Sequence, residues 1–225
     1  MNKKQVSTTY LVAGILFCVC LITANILEVK LIQLGPIHMT AGVLVFPITY
    51  ILNDCLSEVW GFSKARFIIW MGFLMNFFVV SIVQLAIILP SAPYYEHQEA
   101  FSTTFGSTPR IAAASFTAFL IGSFLNAYVM SKMKISSKGK HFSLRAVAST
   151  LVGETADSLI FFPIAFYGSV PSEALLFMIL SQIAIKTSYE IIALPLTCRI
   201  VKKMKKWDGS DVYDHNTSYN ILKLG

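Results

Sequence analysis

The sequence predicts an all-α integral membrane protein: a bundle of six transmembrane helices with both termini in the cytoplasm. Three observations predict it. Of 225 residues, 55% are hydrophobic and 13% charged, and mean hydropathy is +0.65, a composition that belongs to the membrane class. Six apolar stretches approach or exceed the roughly 20 residues a helix needs to cross hydrocarbon. Lysine and arginine gather in alternate loops, as they do when those loops stay in the cytoplasm.

The first span covers residues 10–32 and follows Lys3 and Lys4. It is too long for a signal-peptide core and no small-residue cleavage site closes it, so it reads as retained. The second covers 41–60 and the third 65–89, with Lys64 between them and Arg66 at the start of the third. The fourth covers 111–130 and the fifth 144–167, with Lys132, Lys134, Lys138 and Lys140 between them and Arg145 at the start of the fifth. The sixth covers 172–200, with Arg199 at its end and Lys202, Lys203, Lys205 and Lys206 following it. The opposite loops, 33–40, 90–109 and 168–171, are nearly free of basic residues, Arg110 being the exception. The 90–109 loop, with Pro90, Pro93, Tyr94, Tyr95, Glu96, His97 and Glu99, reads as a solvated connector, and as a lid over an outer entrance second. Residues 1–206 thus form one membrane domain, and 207–225 a polar cytoplasmic tail to which the sequence assigns no role.

The net charge of +6 sits beside the spans. It serves topology and contact with anionic lipid rather than nucleic acid. Cys18, Cys20, Cys55 and Cys198 lie in apolar stretches without zinc or redox spacing and read as small apolar filler. No metal or cofactor site is expected.

The chemistry lies in charges within the apolar spans. A charged side chain at bilayer depth is expensive and usually faces a partner or a wet cavity. The second span carries Tyr50, Asn53, Asp54 and Glu58 after Phe46-Pro47-Ile48; the fifth carries Glu154, Asp157, Ser158, Phe161 and Phe162 before Pro163-Ile164. The two spans are antiparallel, so the reversed order becomes agreement in depth. Pro47 to Asp54 is roughly 10 Å and Pro163 to Asp157 roughly 9 Å at helical rise. The expectation is two acidic faces at matched depth around one pocket, with the prolines outermost and the glutamates deepest. The sixth span adds Lys186, Tyr189 and Glu190, Lys186 being the counter-charge for one or more carboxylates.

Bland readings stand beside these. Lys186 and Glu190, four apart, pair with each other in a purely structural reading. Glu58, near Trp60, snorkels to the interface in another, as do Glu28 and Lys30. Asn25, Asn76 and Asn126 read as helix–helix hydrogen-bonding amides. Ala112 to Ser115 read as a close-packing face, which also allows a homodimer. No HExxH, GxSxG or Walker sequence is present. The histidines fall in loops or the tail, and an aspartyl protease built on Asp54 and Asp157 is the least favoured reading. The chain reads as a non-enzyme.

At these residues the sequence resembles the queuosine precursor transporter family, also called the vitamin uptake transporter family. The resemblance rests on Ala24-Asn25-Ile26, on Phe46-Pro47-Ile48-Thr49-Tyr50 with Asn53-Asp54 and Glu58-Val59-Trp60-Gly61, on Gly153-Glu154 with Asp157-Ser158 and Phe162, and on Lys186 with Tyr189-Glu190 and Pro195. It runs from the first span to Lys206. It implies a bacterial inner-membrane importer of 7-deazaguanines: 7-cyano-7-deazaguanine, its aminomethyl analogue or queuine, precursors of a modified tRNA base. In topology the family is similar to the substrate-binding subunits of energy-coupling-factor vitamin importers.

For such a cargo, Asp54 or Glu154 would accept the two adjacent N–H donors of a guanine-type edge. Asn53 would meet the carbonyl or a ring nitrogen. Tyr50, Phe161, Phe162 and Tyr189 would stack on the flat ring. Asp157 would add a second acid for the aminomethyl cation, and Lys186 would balance the empty site. Glu58 and Glu190 complete the candidate substrate-binding set. Two modes of coupling fit: a carboxylate that takes up a proton with the cargo, or facilitated entry pulled by downstream enzymes. The rival readings are a substrate-capture subunit of an ATPase-driven vitamin importer, a carrier of another flat vitamin, and an ion channel.

Overall fold

The computed structural model describes residues 7–28, 30–34, 37–106, 109–168 and 171–223. Lys3 and Lys4 therefore lie outside the described residues. Helix α1 (Thr8–Leu27) starts on Ser7, whose side chain accepts from the Tyr10 amide at 3.4 Å. It ends earlier than the expected 32. Residues 31–40, expected partly as span and partly as loop, instead contribute an antiparallel hairpin of β1 (Leu31–Leu34) and β2 (Ile37–Thr40), with His38 on its second strand. Glu28 and Lys30 interrupt the apolar run there, and Gln33 and His38 give the following segment an edge too polar to continue a buried helix. A short 3-10 turn, Ala41–Leu44, leads into α2 (Phe46–Ile88). Pro47 sits in the first turn of α2, where its missing N–H costs nothing and frees no helical carbonyl.

At 43 residues, α2 would be about 65 Å long if straight, twice the hydrocarbon thickness. It breaks at Gly61, where φ is 79° and ψ 172°, a backbone region open chiefly to glycine. The two arms run in opposite directions. Tyr10, at the start of α1, donates to the Lys64 carbonyl at 3.0 Å, and Asn25, near its end, donates to Asn76 at 2.9 Å. The second arm is therefore parallel to α1. The first arm begins beside Glu28 and ends with Trp60 edge-on to Tyr10, ring centroids 5.3 Å apart. The second and third expected spans are these two arms, joined by one glycine rather than by a loop.

After a short helix α3 (Gln98–Phe105) in the expected connector, α4 (Pro109–Ser136), α5 (Phe142–Phe166) and α6 (Ser172–Asp208) complete the bundle. Each of these three long helices extends the expected span at one end or both. Helices α4 and α5 cross closely at glycines. A Cβ on Gly153 would stand 2.9 Å from the Gly122 carbonyl oxygen and 2.8 Å from a Tyr50 ring carbon. One end of the bundle gathers the start of α1, Gly61, the end of α4, the start of α5 and the end of α6; it is called here the basic end. The other carries the hairpin.

The segment after α6 returns to the basic end instead of trailing away. Val212 N–H donates to the Val59 carbonyl at 3.1 Å, and the Phe62 amide donates to Asp214 at 2.9 Å. These are the backbone groups that the break at Gly61 releases. Arg66 donates to the carbonyls of Ser218 (2.8 Å) and Asn220 (2.6 Å), and Trp70 donates to that of Ile221 at 2.8 Å.

Candidate substrate site

A column of buried polar side chains runs through the bundle between the first arm of α2, α5 and α6. Its register is set by three contacts. Arg145 grips Glu58 with both terminal nitrogens. Ser149 meets Asp54 at 3.1 and 3.3 Å. Gly153 leaves room for the Tyr50 ring. Asp54 is therefore level with Ser149. Asp157 lies eight residues further along α5, about 12 Å nearer the hairpin end. The expected depth match of Asp54 with Asp157 and of Glu58 with Glu154 is overturned: the two acidic faces are staggered. The prolines suggested one alignment, but an ion pair and a glycine notch select another.

The hairpin-side part of the column is built around Lys186. Its Nζ lies 2.7 Å from Glu154 Oε2, an ion pair rather than an aligned hydrogen bond, and donates to Asp157 Oδ2 at 3.3 Å. It also stands 4.1 Å above the Phe46 ring, a cation–π contact. Phe46 and Tyr50 lie 5.8 Å apart. Glu28 lies within electrostatic reach of Lys186 and Asp157. The i,i+4 pairing of Lys186 with Glu190 is not formed: Lys186 turns to α5. Among the described residues this cluster leaves polar atoms without hydrogen-bond partners, including Glu154 Oε1, Tyr50 OH and Ser158 Oγ. Glu154 is 0% exposed. Buried polar atoms in folded proteins are nearly always paired, so such a concentration marks a place where something else supplies the partners.

Toward the middle lie Asn53, Asp54 and Glu190, each at most 1% exposed. Asn53 donates to Asn126 (2.8 Å) and to the Ser123 carbonyl (2.9 Å), the interhelical role expected of Asn126. Its carbonyl oxygen has no partner. Phe162 is buried and stacks edge-on with Phe161 at 5.3 Å; Tyr189 is half-buried.

At the basic end Glu58 is saturated. Besides Arg145 it accepts from Lys205 at 2.6 Å, with Lys134 4.0 Å away. Lys134 donates to the Glu58 carbonyl and to Asp211, both at 2.5 Å, and to the Val212 carbonyl at 2.8 Å. Glu58 neither snorkels nor joins the Lys186 cluster. Arg145, Lys134 and Lys205 were assigned to topology by sequence reasoning. Ser149 and Asp211 were not singled out, and Phe46 figured only in a motif. A signal existed for two of them: Arg145, Ser149, Gly153 and Asp157 recur every four residues, on one face of α5.

A separate lateral groove of about 660 Å³ lies between the second arm of α2, α4 and the C-terminal segment, lined by residues such as Trp70, Phe73, Phe116 and Tyr219. None of the polar column lines it. The small-residue face of α4 is partly used within the chain, since Ala114 is buried and Ser115 donates to Asn25 at 3.2 Å.

Long apolar helices around a buried polar column define a multi-pass membrane protein. The chain belongs to the vitamin uptake transporter family: residues 40–200 match the family profile described as "Putative vitamin uptake transporter". It is 30% identical over 175 residues to a Bacillus subtilis (strain 168) protein named "Probable queuosine precursor transporter", covering 77% of this chain and 76% of that one. It is 31% identical over 160 residues to the Escherichia coli (strain K12) "Queuosine precursor transporter", covering 68% and 67%. A Haemophilus influenzae relative, also named "Probable queuosine precursor transporter", is 30% identical over 132 residues, 59% of this chain and 54% of that one. No solved structure matches the chain significantly. The family and the helices together make this a multi-pass protein of the bacterial inner membrane.

Proposed function

We propose that the chain imports queuosine precursors, and that it binds 7-cyano-7-deazaguanine, its aminomethyl analogue or queuine at the Lys186 cluster. The relatives' names support the cargo class. The observation that carries the site is Glu154: fully buried, with Oε1 unpartnered and Oε2 held against Lys186. A carboxylate in that state is ready for the paired N–H donors of a guanine-type edge. Asp54 suits the role less, because both its oxygens already contact Ser149.

Phe46 and Tyr50 offer ring faces beside the carboxylate, and Tyr50 OH and Ser158 Oγ offer hydrogen bonds to the base carbonyl or ring nitrogens. Asp157 serves the aminomethyl cation. Phe161, Phe162 and Tyr189 stand further along as wall residues. The two arms of α2 each count as a span, giving six. The basic end faces the cytoplasm, by the excess of Lys and Arg there. Residues 1–206 carry transport and 207–225 form a cytoplasmic segment. Cargo enters from the hairpin end, and the Glu58 network closes the far side.

The test is a bacterium that can neither make nor import 7-deazaguanines, given this protein and fed each precursor at low concentration. Queuosine in its tRNA is the readout. Rescue by a precursor is the expected result, and Glu154→Gln at normal membrane level abolishes it. Absence of rescue with good expression overturns the cargo assignment; full rescue by Glu154→Gln overturns the site.

A further inference from the structure

The charges of the column do not balance, and the imbalance is local. Arg145 and Lys205 are taken by Glu58, Lys134 and Lys205 by Asp211, and Lys186 by Glu154 and Asp157. Asp54 and Glu190 remain, 0% and 1% exposed, with no basic partner among the described residues. Glu190 is the charged group that acts most strongly on Asp54. Their other charged or titratable neighbours are Glu58 and Cys55 on α2 and Glu154 on α5, with Cys198 of α6 facing Cys55. From α4 the fully buried amide of Asn126 faces Asp54, its nitrogen without a well-formed hydrogen bond among the described residues. None of these supplies a positive charge.

The hydrogen bonding points the same way. Ser149 Oγ is 2.7 Å from the Arg145 carbonyl and 2.9 Å from that of Ala146, as well as 3.1 Å from Asp54 Oδ1. Its single proton goes to one acceptor. When that is the Arg145 carbonyl, the contact with Asp54 needs a proton on Asp54, which then donates to Ser149 Oγ. Among the described residues neither oxygen of Glu190 has a hydrogen-bond partner. Two buried carboxylates within electrostatic reach of each other and without counter-charge are stable only when protons neutralise them.

We propose that the Asp54–Glu190 pair is a proton site, and that the chain is a proton symporter moving one proton inward with each cargo molecule. This rests on the transport reading above. The pair lies between the Lys186 cluster and the Glu58 network, on the route from the hairpin end to the basic end. It takes a proton from water on the hairpin side while the cargo site is open there, and gives it to water on the basic side after the Glu58 contacts part. No bond other than O–H is made or broken.

The experiment uses the purified full chain in liposomes with the membrane potential clamped at zero. Labelled 7-cyano-7-deazaguanine, a neutral cargo, is the probe. Exchange of labelled for unlabelled compound, without any gradient, reads transport alone. With the outside one pH unit more acid than the inside, the expected result is accumulation of about tenfold, the factor one proton per cargo sustains. Glu190→Gln is expected to lose gradient-driven accumulation, read against whatever exchange that variant itself retains. Exchange without accumulation in the wild type overturns the coupling and leaves the transport reading standing. Accumulation driven by a sodium gradient instead, or undiminished in Glu190→Gln, also overturns it. Loss of exchange in the wild type removes the transport reading itself, and this one with it.

Discussion

The two ends of the polar column use the same kinds of residue and reach opposite states. At the basic end, Glu58 meets Arg145 and Lys205, and Lys134 is filled by Asp211 and two carbonyls. At the hairpin side, Lys186 divides itself between Glu154 and Asp157 and leaves hydrogen-bonding atoms of Glu154, Tyr50 and Ser158 bare. Buried charge is tolerable in both, because each has a counter-charge. Only the first has its hydrogen bonds completed. A saturated network fixes helices against one another. An incomplete one of equal burial keeps capacity for a partner of its own size and polarity.

Removing one member from the saturated end should give the largest effect. Arg145→Met leaves Glu58 buried with Lys205 and the more distant Lys134 but without its bidentate partner, and the loss approaches that of a broken buried pair, about 3–5 kcal/mol. Thermal unfolding in detergent is expected to show that loss, and the double variant Arg145→Met with Glu58→Gln to recover part of it. The comparison breaks if Lys186→Met is as destabilising as Arg145→Met, because the hairpin-side cluster would then be structural too.

The crossing that positions Tyr50 between the two ends should be next. Gly153→Ala puts a methyl group 2.8 Å from the Tyr50 ring and 2.9 Å from the Gly122 carbonyl. Backbone cannot yield as a flexible side chain does, so overpacking of about 1–3 kcal/mol is expected. Transport should fall more steeply than unfolding temperature, since Tyr50 moves toward the cargo site. Equal losses in both would remove Tyr50 from the comparison.

The sequence made the apolar rods legible because a membrane span writes its length directly into composition. Lys186 as counter-charge was legible for the same reason: one cation among many acids in greasy helices has few uses. The register of α2 against α5 was not. Proline positions gave a plausible alignment, while the deciding features were a loop-end arginine that turns inward and a glycine whose value is the absence of a side chain. The hairpin at 31–40 was hidden by its shortness. The fold-back of residues 209–223 was hidden because its anchors are mostly backbone groups, which carry no sequence pattern.

That fold-back gives a smaller effect. Asp214 accepts from the Phe62 amide at 2.9 Å and from Ser131 at 2.6 Å, acting as an N-cap for the second arm of α2. Asp214→Ala should cost about 1 kcal/mol, as lost caps do. Measured by unfolding, the loss should be matched by Asp214→Leu and reduced by Asp214→Asn, which keeps an acceptor oxygen.

Asp211 should give the smallest effect and the one most specific to the basic end. Its side chain is 45% exposed. Partial burial pushes its carboxyl upward, but hydrogen bonds from Lys134 (2.5 Å) and Lys205 (2.8 Å), with their charges, prevail and hold it below the ordinary carboxylate value. A carboxylate depressed in the folded state stabilises above its unfolded value, about 3.9 for aspartate, and loses that contribution as pH falls through the folded value. The unfolding temperature of the wild type should therefore exceed that of Asp211→Asn by a constant small margin above about pH 5. The margin should close as pH falls below about 4. Solvent screening keeps it small, and salt should shrink it further. A margin that survives at low pH would mean that Asp211 holds the lysines by shape rather than charge, and the basic end would then owe its closure to Glu58 alone.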